Sequence, residues 1–122
     1  ILPTHAEYHM MKRHNSFLLG SFQDMEIVGF KSLFGHTYPD EELTDALFRV
    51  ERGVGRHPGT YAEGFRRGGL MATYLIGPLL PLNPPFTRYL LEQMGARDVH
   101  LAFEDTAMKA YRARDEKRGY QY

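Results

Sequence analysis

Three histidines near the start of the chain are the first residues whose types and spacing could support chemistry. His5 and His9 are four residues apart, with Glu7 between them. On a helix, residues i and i+4 share one face, so both imidazoles could approach the same metal ion. His14 would lie about 180° around that helix from His5, and a metal site needs at least three converging ligands. We therefore expect surface or interface histidines, with no metal and no cofactor.

A second set of candidates is acidic: Asp40, Glu41, Glu42 and Asp45 follow Pro39 closely. Clustered carboxylates can serve as general acids and bases or bind a divalent cation. Proline followed by acids is also typical of a helix N-terminus, where the helix dipole favours negative charge. The helix start already accounts for the cluster, so we assign it no catalytic role.

The remaining chemistry-bearing features are few. The loop 53–59, GVGRHPG, is glycine-rich, but it lacks the preceding strand and the glycine spacing of a phosphate-binding loop. The chain contains no cysteine, which excludes a thiolate nucleophile and a disulfide framework. Fifteen basic and fifteen acidic residues give no net charge, which disfavours nucleic-acid binding. We predict no catalytic residue, and a protein that is not an enzyme by itself.

The elements that would position these residues are predicted to be helical. Apolar residues recur at helical spacing, glycines follow the periodic stretches, and no strand-length alternation with hairpin turns is visible. The expected fold is all-α, with about five helices joined by Gly/Pro-rich connectors and no sheet. The expected helical segments are 4–19, a weak segment 21–34, 39–52, 60–76, 84–94 and a charged final helix from 98 onwards.

The longest uncharged stretch of the chain is 68–87, and the interpretation of the neighbouring segments depends on it. Its length would suit a membrane span, but four prolines prevent a continuous helix, so we predict no transmembrane helix. The stretch 77–82 is expected to be an extended apolar connector buried against a partner, with an internal core turn as the other reading. The predicted partner-contact residues are Arg66, Arg67, Leu79, Leu80, Pro81, Phe86, Arg88 and Tyr89.

Several short motifs occur in an order that resembles one known family. They are Gly29-Phe30-Lys31-x-Leu33, Tyr38 with the acidic cluster and the segment DEELTDALFRV, Phe65-Arg66-Arg67, Leu80-Pro81, Phe86-Thr87-Arg88-Tyr89, and the charged ending RARDEKRGY. In this order they resemble the small matrix-side helical subunit of mitochondrial ubiquinol-cytochrome c reductase, the subunit-seven or ubiquinol-binding-protein family.

The resemblance implies a non-catalytic accessory subunit that supports assembly and stability of a respiratory-chain complex. It implies contacts with cytochrome b and the core subunits, and a peripheral position on the matrix side of the mitochondrial inner membrane. The domain division that goes with it is an N-terminal helical extension, 1–35, and a helical subunit core, 36–122. The redox groups of electron transport would then belong to other chains.

Three alternatives stay open. The chain could be an accessory subunit of another respiratory complex or of ATP synthase. It could be a small soluble helical enzyme or metal-binding protein built on His5, His9 and Glu7. A cytosolic regulatory binding module is the third alternative.

Overall fold

A computed structural model describes residues 4–39 and 45–116, without the side chains of residues 115 and 116. In this part of the chain, β-strands come first and helices follow. The strands are β1 (Thr4–Tyr8), β2 (His14–Phe22), β3 (Met25–Leu33), β4 (Gly35–Pro39), β5 (Phe48–Arg52), β6 (Ala62–Glu63), β7 (Phe65–Arg67) and β8 (Leu70–Ala72). The helices are α1 (Leu79–Leu82), α2 (Pro84–Gln93) and α3 (Glu104–Glu116).

The strands form three antiparallel sheets. The largest has the order β3-β2-β5-β6, and two-stranded ribbons are made by β1 with β4 and by β7 with β8. β2 and β3 make a long hairpin in which Phe22 pairs with Met25 across a turn at Gln23 and Asp24. Gln23 has a φ of 53°, which hairpin turns of two residues require at their first central position. This hairpin is the centre of the fold.

Side chains on one face of β2 contribute to the core. Leu18 and Phe22 face the interior together with Ile27 of β3, while Phe17 on the other side of the sheet is exposed. Phe48 of β5 and Phe86 of α2 complete the interior, their rings 5.3 Å apart in an edge-to-face arrangement. The core therefore lies between the β2–β3–β5 face and helix α2.

The free edge of β3 is covered by the chain segment that precedes and follows α1. Ile76 and Phe30 exchange backbone hydrogen bonds of 2.8 and 2.9 Å. Beyond them, the side chain of Asn83 binds both backbone groups of Val28. Gly29 lies between these contacts, and a Cβ there would meet Leu75 at 2.6 Å, so this position admits only glycine without displacement of a core side chain.

The predicted all-α fold is wrong. The expected helices 4–19, 21–34 and 60–76 are strands and turns, and the described part of 39–52 ends in β5. The reason is visible in Phe22, Met25 and Val28, whose spacing imitates a helical face. A turn separates Phe22 from Met25, so these residues do not lie on one helix. Successive side chains of β2 and β3 point to opposite faces of the sheet, and both faces are buried at Leu18 and Leu19.

Only the C-terminal region follows the sequence-based expectation. The helix predicted after Asn83 is confirmed as α2, with proline at its first positions and Gly95 beyond its end at a φ of 95°. The connector 77–82 is not extended throughout, because Leu79–Leu82 form one helical turn. Asp40, Glu41, Glu42 and the last residues of the charged ending, 117–122, lie outside the described residues. The division at residue 35 stays a prediction, and the β1–β4 ribbon joins residues from both sides of it.

Candidate functional site

The most strongly organised polar group in the described structure lies in the interior, and we call it the buried polar centre: Lys31, Glu63 and Thr73. Lys31 on β3 and Glu63 on β6 form an ion pair with Nζ and Oε1 2.6 Å apart, and their side chains are 3% and 1% exposed. Thr73 Oγ1 donates to the second carboxylate oxygen at 2.6 Å. Charges so far from water persist only when they are paired and hydrogen-bonded.

Every part of the buried polar centre is engaged by the chain itself. The backbone N–H of Tyr74 also donates to Glu63, at 3.2 Å, and Lys31 donates to the carbonyl of Gly55 at 2.6 Å. The Thr73 hydroxyl accepts a hydrogen bond from the N–H of Leu75 at 3.0 Å. A nucleophile or base must be able to reach its substrate. This centre is therefore an anchor that joins β3, β6, the loop 53–59 and the segment leading to Ile76.

Arg56 continues the polar interior next to this centre. Its Nε donates to the carbonyl of Gly64 at 2.8 Å, and its guanidinium carbon lies 4.0 Å above the ring of Phe65. Burial lowers the pKa of Arg56, and the negative charges of Glu63 and Asp45 partly oppose this shift. Arg56 thus holds the glycine-rich loop 53–59 against β6 and β7.

Histidines from four parts of the chain meet at the β1–β4 ribbon and form what we call the histidine cluster: His9, His14, His36 and His57. The rings of His14 and His36 stack with centroids 4.7 Å apart, and His9 lies 6.1 Å from His36. His57 stacks on Tyr38 at 4.5 Å. Sequence spacing along one helix could not bring these residues together, because His36 and His57 come from β4 and a distant loop.

Within the histidine cluster, the surroundings of His36 disfavour its protonation. Burial lowers the pKa of His36, and the positive charges of His14, His9, Lys31 and His57 lower it further. Across the residues that the structure describes, no three histidines, cysteines or carboxylates are placed to hold a metal ion. His14 Nε2 lies 3.2 Å from the carbonyl oxygen of Gly35, which ties the cluster to the start of β4.

The predicted partner-contact residues do not form one surface. Phe86 is 2% exposed and belongs to the core, and Leu79 packs against that core. Arg66 Nη2 donates to the hydroxyl of Tyr89 at 3.3 Å, so these two residues contact each other. Arg88 binds the carbonyl of Val99 at 2.7 Å and pairs with Glu104.

The exposed members of that set are Arg67, Leu80 and Pro81, and Leu80 has 42% of its surface open to solvent. Contact of the eight residues with a partner stays a prediction. A groove of about 680 Å³ runs between α2 and α3 beside Arg88. Three basic and three acidic side chains line it, so their formal charges cancel: Arg88, Lys109, Arg112, Glu92, Glu104 and Asp105.

Sequence reasoning missed the residues that organise the interior. Lys31 is the only charged residue in the apolar run 27–34, IVGFKSLF, and a lone charge in such a run indicates a buried partner. Glu63 carries no comparable signal, because its contact with Lys31 joins residues 32 positions apart in the sequence. Asn83 directly precedes the predicted helix 84–94, and that position does not show that its side chain binds β3.

Comparison with known proteins gives one informative similarity. No family model matches the chain. Over 67 residues it is 42% identical to subunit GatD of the glutamine-hydrolyzing lipid II isoglutaminyl synthase of Staphylococcus aureus (strain N315). The match covers 55% of this chain and 26% of that subunit, so the chain spans about a quarter of its relative's length.

This similarity corrects the interpretation as a mitochondrial respiratory-chain subunit. The relative is a subunit of a bacterial synthase, and the strand-rich fold does not agree with a small helical subunit of ubiquinol-cytochrome c reductase. The inferred partners, cytochrome b and the core subunits, and the location on the matrix side of the mitochondrial inner membrane were wrong for the same reason. Within the described ranges, no helix is long and apolar enough to cross a bilayer.

Proposed function

We propose that this chain forms part of a glutamine-hydrolysing unit of a bacterial amidotransferase-type synthase. The observation that carries the proposal is the 42% identity over 67 residues to a subunit of such an enzyme. Identity at this level over more than half of the chain supports a common fold in the matched part. The reaction class follows from the relative's name, and it comes to this chain as a proposal.

Glutamine hydrolysis splits the side-chain amide of glutamine into a carboxylate and ammonia. In a covalent route, a nucleophile attacks the amide carbon, ammonia leaves, and water then releases glutamate from the acyl-enzyme. A thiolate is the strongest common nucleophile for this chemistry near neutral pH, and the chain contains no cysteine. The hydroxyl of Thr73 contacts the Glu63 carboxylate, but Glu63 is 1% exposed and already accepts from Lys31.

We therefore assign this chain a supporting role within the proposed unit. It supplies a rigid strand-and-helix body, held together by the buried polar centre and by Asn83 on β3. A nucleophile would come from outside these 122 residues. We still expect that the chain is not an enzyme by itself, but the enzyme it would support is a glutamine-hydrolysing one and no longer a respiratory complex.

The test is hydrolysis of glutamine by the affinity-isolated chain together with the proteins that accompany it in its cells. We expect the complex to release ammonia and glutamate in equal amounts, and the chain purified alone to release neither. A thiol-alkylating reagent should abolish the activity of the complex, and the cysteine-free chain should remain unmodified. A complex without activity towards glutamine would contradict the proposed reaction, and full activity of the isolated chain would contradict the supporting role.

A further inference from the structure

A tight turn lies between β1 and β2, and we call it the methionine turn: His9, Met10, Met11 and Lys12. The N–H of Lys12 donates to the carbonyl of His9 at 2.8 Å, which makes the two methionines the central residues of a β-turn. The N–H of His9 donates in turn to the carbonyl of Phe34, between β3 and β4. Met10 and Met11 therefore stand at the tip of a turn whose base is hydrogen-bonded to the rest of the fold.

Methionine is an unusual residue type at the centre of a turn. Glycine, proline, asparagine, aspartate and serine are the usual residues there, because they suit the backbone geometry or bind it. Met11 is 96% exposed and Met10 is 69% exposed, so neither contributes to the core. A single exposed apolar residue needs no explanation, but two adjacent ones at a tip form a small apolar contact surface. Since neither turn geometry nor packing accounts for these methionines, we attribute them to an external contact.

The charge next to the methionine turn is positive. Lys12 and the following Arg13 are exposed, and the sequence contains no acidic residue between Glu7 and Asp24. The carboxylate of Glu7 lies 3.9 Å from Nε2 of His5. The whole chain has no net charge, so two adjacent cations beside an apolar tip are a local feature. Apolar side chains beside lysine and arginine are typical of segments that bind the interface of an anionic membrane.

Exposed aromatic side chains occur at the base of the turn. Tyr8 directly precedes it and is 66% exposed, and Phe34, which accepts the hydrogen bond from His9, is 37% exposed. Tyrosine combines an apolar ring with a polar hydroxyl, and it is enriched where membranes meet water. Methionine is flexible and polarisable, so it can adapt to a fluid environment that offers no fixed pocket. These residue types agree with the headgroup region of a bilayer.

The small size of the tip favours a lipid surface over a protein partner. A stable protein interface buries about 800 Å² on each side, which requires a broad complementary surface. Two methionine side chains on one tight turn offer far less than this area. A bilayer requires no complementary shape, and its affinity for a protein increases with the apolar area that is buried and with each cation near anionic lipids.

We propose that the methionine turn binds the surface of an anionic lipid bilayer. Met10 and Met11 enter the boundary between headgroups and acyl chains, while Lys12 and Arg13 stay at the level of the lipid phosphates. The hydrogen bond to Phe34 fixes the turn on the ribbon of strands, so the contact holds the protein at the membrane surface. This contact goes beyond the glutamine chemistry proposed above and does not depend on it.

The first test is flotation of the isolated protein, with its stable partners, on vesicles of phosphatidylcholine alone or mixed with phosphatidylglycerol. We expect binding to the mixed vesicles only. Met11→Gln should lower the affinity about tenfold, because burial of a methionine side chain contributes at least this factor. Met94→Gln is the matched control, because Met94 is 82% exposed and lies at the end of α2, and it should stay within about twofold of the wild type. A thermal melt checks that each variant is folded.

The two cations are tested by the same assay. Lys12→Gln/Arg13→Gln should lower the affinity for the mixed vesicles at least about tenfold and reduce its dependence on salt. The control is Lys109→Gln/Arg112→Gln, which removes two exposed cations of α3. That helix binds Glu26, at the opposite end of the β2–β3 hairpin from the methionine turn. Charges farther than about 8 Å from the bilayer are screened at physiological salt, so the control should stay within about twofold.

Insertion can be observed directly because the chain contains no tryptophan. In the full chain, the single indole of Met11→Trp should shift its emission to shorter wavelength on mixed vesicles and be quenched by brominated acyl chains, whereas Met94→Trp should show neither effect. A wild-type protein that does not bind mixed vesicles, or binds neutral vesicles equally well, would overturn the proposal. Undiminished binding by folded Met11→Gln or Lys12→Gln/Arg13→Gln would also overturn it. So would a photoreactive methionine analogue at position 11 that crosslinks to a protein and not to lipid.

Discussion

The side chain of Asn83 replaces a neighbouring strand at Val28. Its Nδ2 donates to the Val28 carbonyl at 2.7 Å, and its Oδ1 accepts from the Val28 N–H at 2.8 Å. The same Nδ2 donates to the carbonyl of Leu79 at 2.8 Å, and Asn83 is fully buried. One amide therefore satisfies an otherwise unpaired position of β3 and fixes the passage from α1 to α2.

Replacing this amide with a side chain of similar size should destabilise the protein strongly. In Asn83→Leu, both backbone groups of Val28 would lose their partners in the interior, and each orphaned group costs about 1–3 kcal/mol. We expect the free energy of unfolding to fall by about 2–5 kcal/mol in urea titrations. Asn15→Leu is the control, because Asn15 is exposed and should change stability by less than about 0.5 kcal/mol. Similar losses for both variants would contradict the role of Asn83.

The ion pair between Lys31 and Glu63 should show strong coupling. Lys31→Met alone leaves a buried carboxylate without its cation, and breaking a buried pair in this way costs about 3–5 kcal/mol. The double variant Lys31→Met/Glu63→Gln should recover much of that loss, since glutamine can still accept from Thr73 and from the N–H of Tyr74. A double-mutant cycle in denaturant measures the coupling. Additive losses in the two single variants would contradict a direct interaction.

Acidification should weaken the β1–β4 ribbon through His36. Because the pKa of His36 is lowered in the folded protein, the unfolded chain binds a proton more readily. The contribution of His36 to stability is therefore constant above the usual histidine pKa of about 6.5 and falls as the pH drops below it. Urea midpoints at pH 7.5 and pH 5.0 measure this loss. His36→Gln should reduce the loss, whereas His100→Gln, at an exposed position, should leave it unchanged. An equal pH dependence in all three proteins would count against the histidine cluster.

Helix α3 should depend on one hydrogen bond to the sheet. The Tyr111 hydroxyl donates to the carbonyl of Glu26 at 2.6 Å, and burial raises the pKa of Tyr111. Tyr111→Phe keeps the ring and removes this bond, so we expect a loss of about 0.5–1.5 kcal/mol. Amide hydrogen exchange should become faster in α3 and remain unchanged in β2. Unchanged exchange throughout α3 would show that the bond does not hold the helix.

The ends of helix α2 could be predicted from neighbouring residues, whereas the strands, which depend on contacts between distant parts of the chain, could not. Proline after Asn83 and glycine at position 95 correctly placed α2, because helix ends depend on residues next to each other in the chain. The strands were missed because Gly20 and Gly29 interrupt β2 and β3 and weaken the alternation that identifies strands. These glycines are required by Arg49 and Leu75, which approach the sheet from distant parts of the chain.

The candidate site was hidden for the same reason. Lys31 and Glu63 are close because β5 and β6 extend the sheet that begins with the β2–β3 hairpin. His36 lies on β4, which pairs with β1, and it stacks on His14 of β2. Phe17, Phe30 and Ile76, which lie next to one another across the sheet, likewise come from three separate segments. The apolar character of 68–87 was correctly recognised, but its placement against β3 depends on the backbone of Phe30 and Val28, which no local pattern reveals.

Ammonia release from amide-labelled glutamine by the isolated complex decides whether this chain works within a glutamine-hydrolysing unit. We expect labelled ammonia and glutamate in equal amounts from the complex, sensitivity to a thiol reagent, and no release from the cysteine-free chain alone. Asparagine serves as the substrate control, since its shorter side chain places the amide differently. If a complex that contains this chain and its stable partners leaves glutamine intact, the proposed function is wrong.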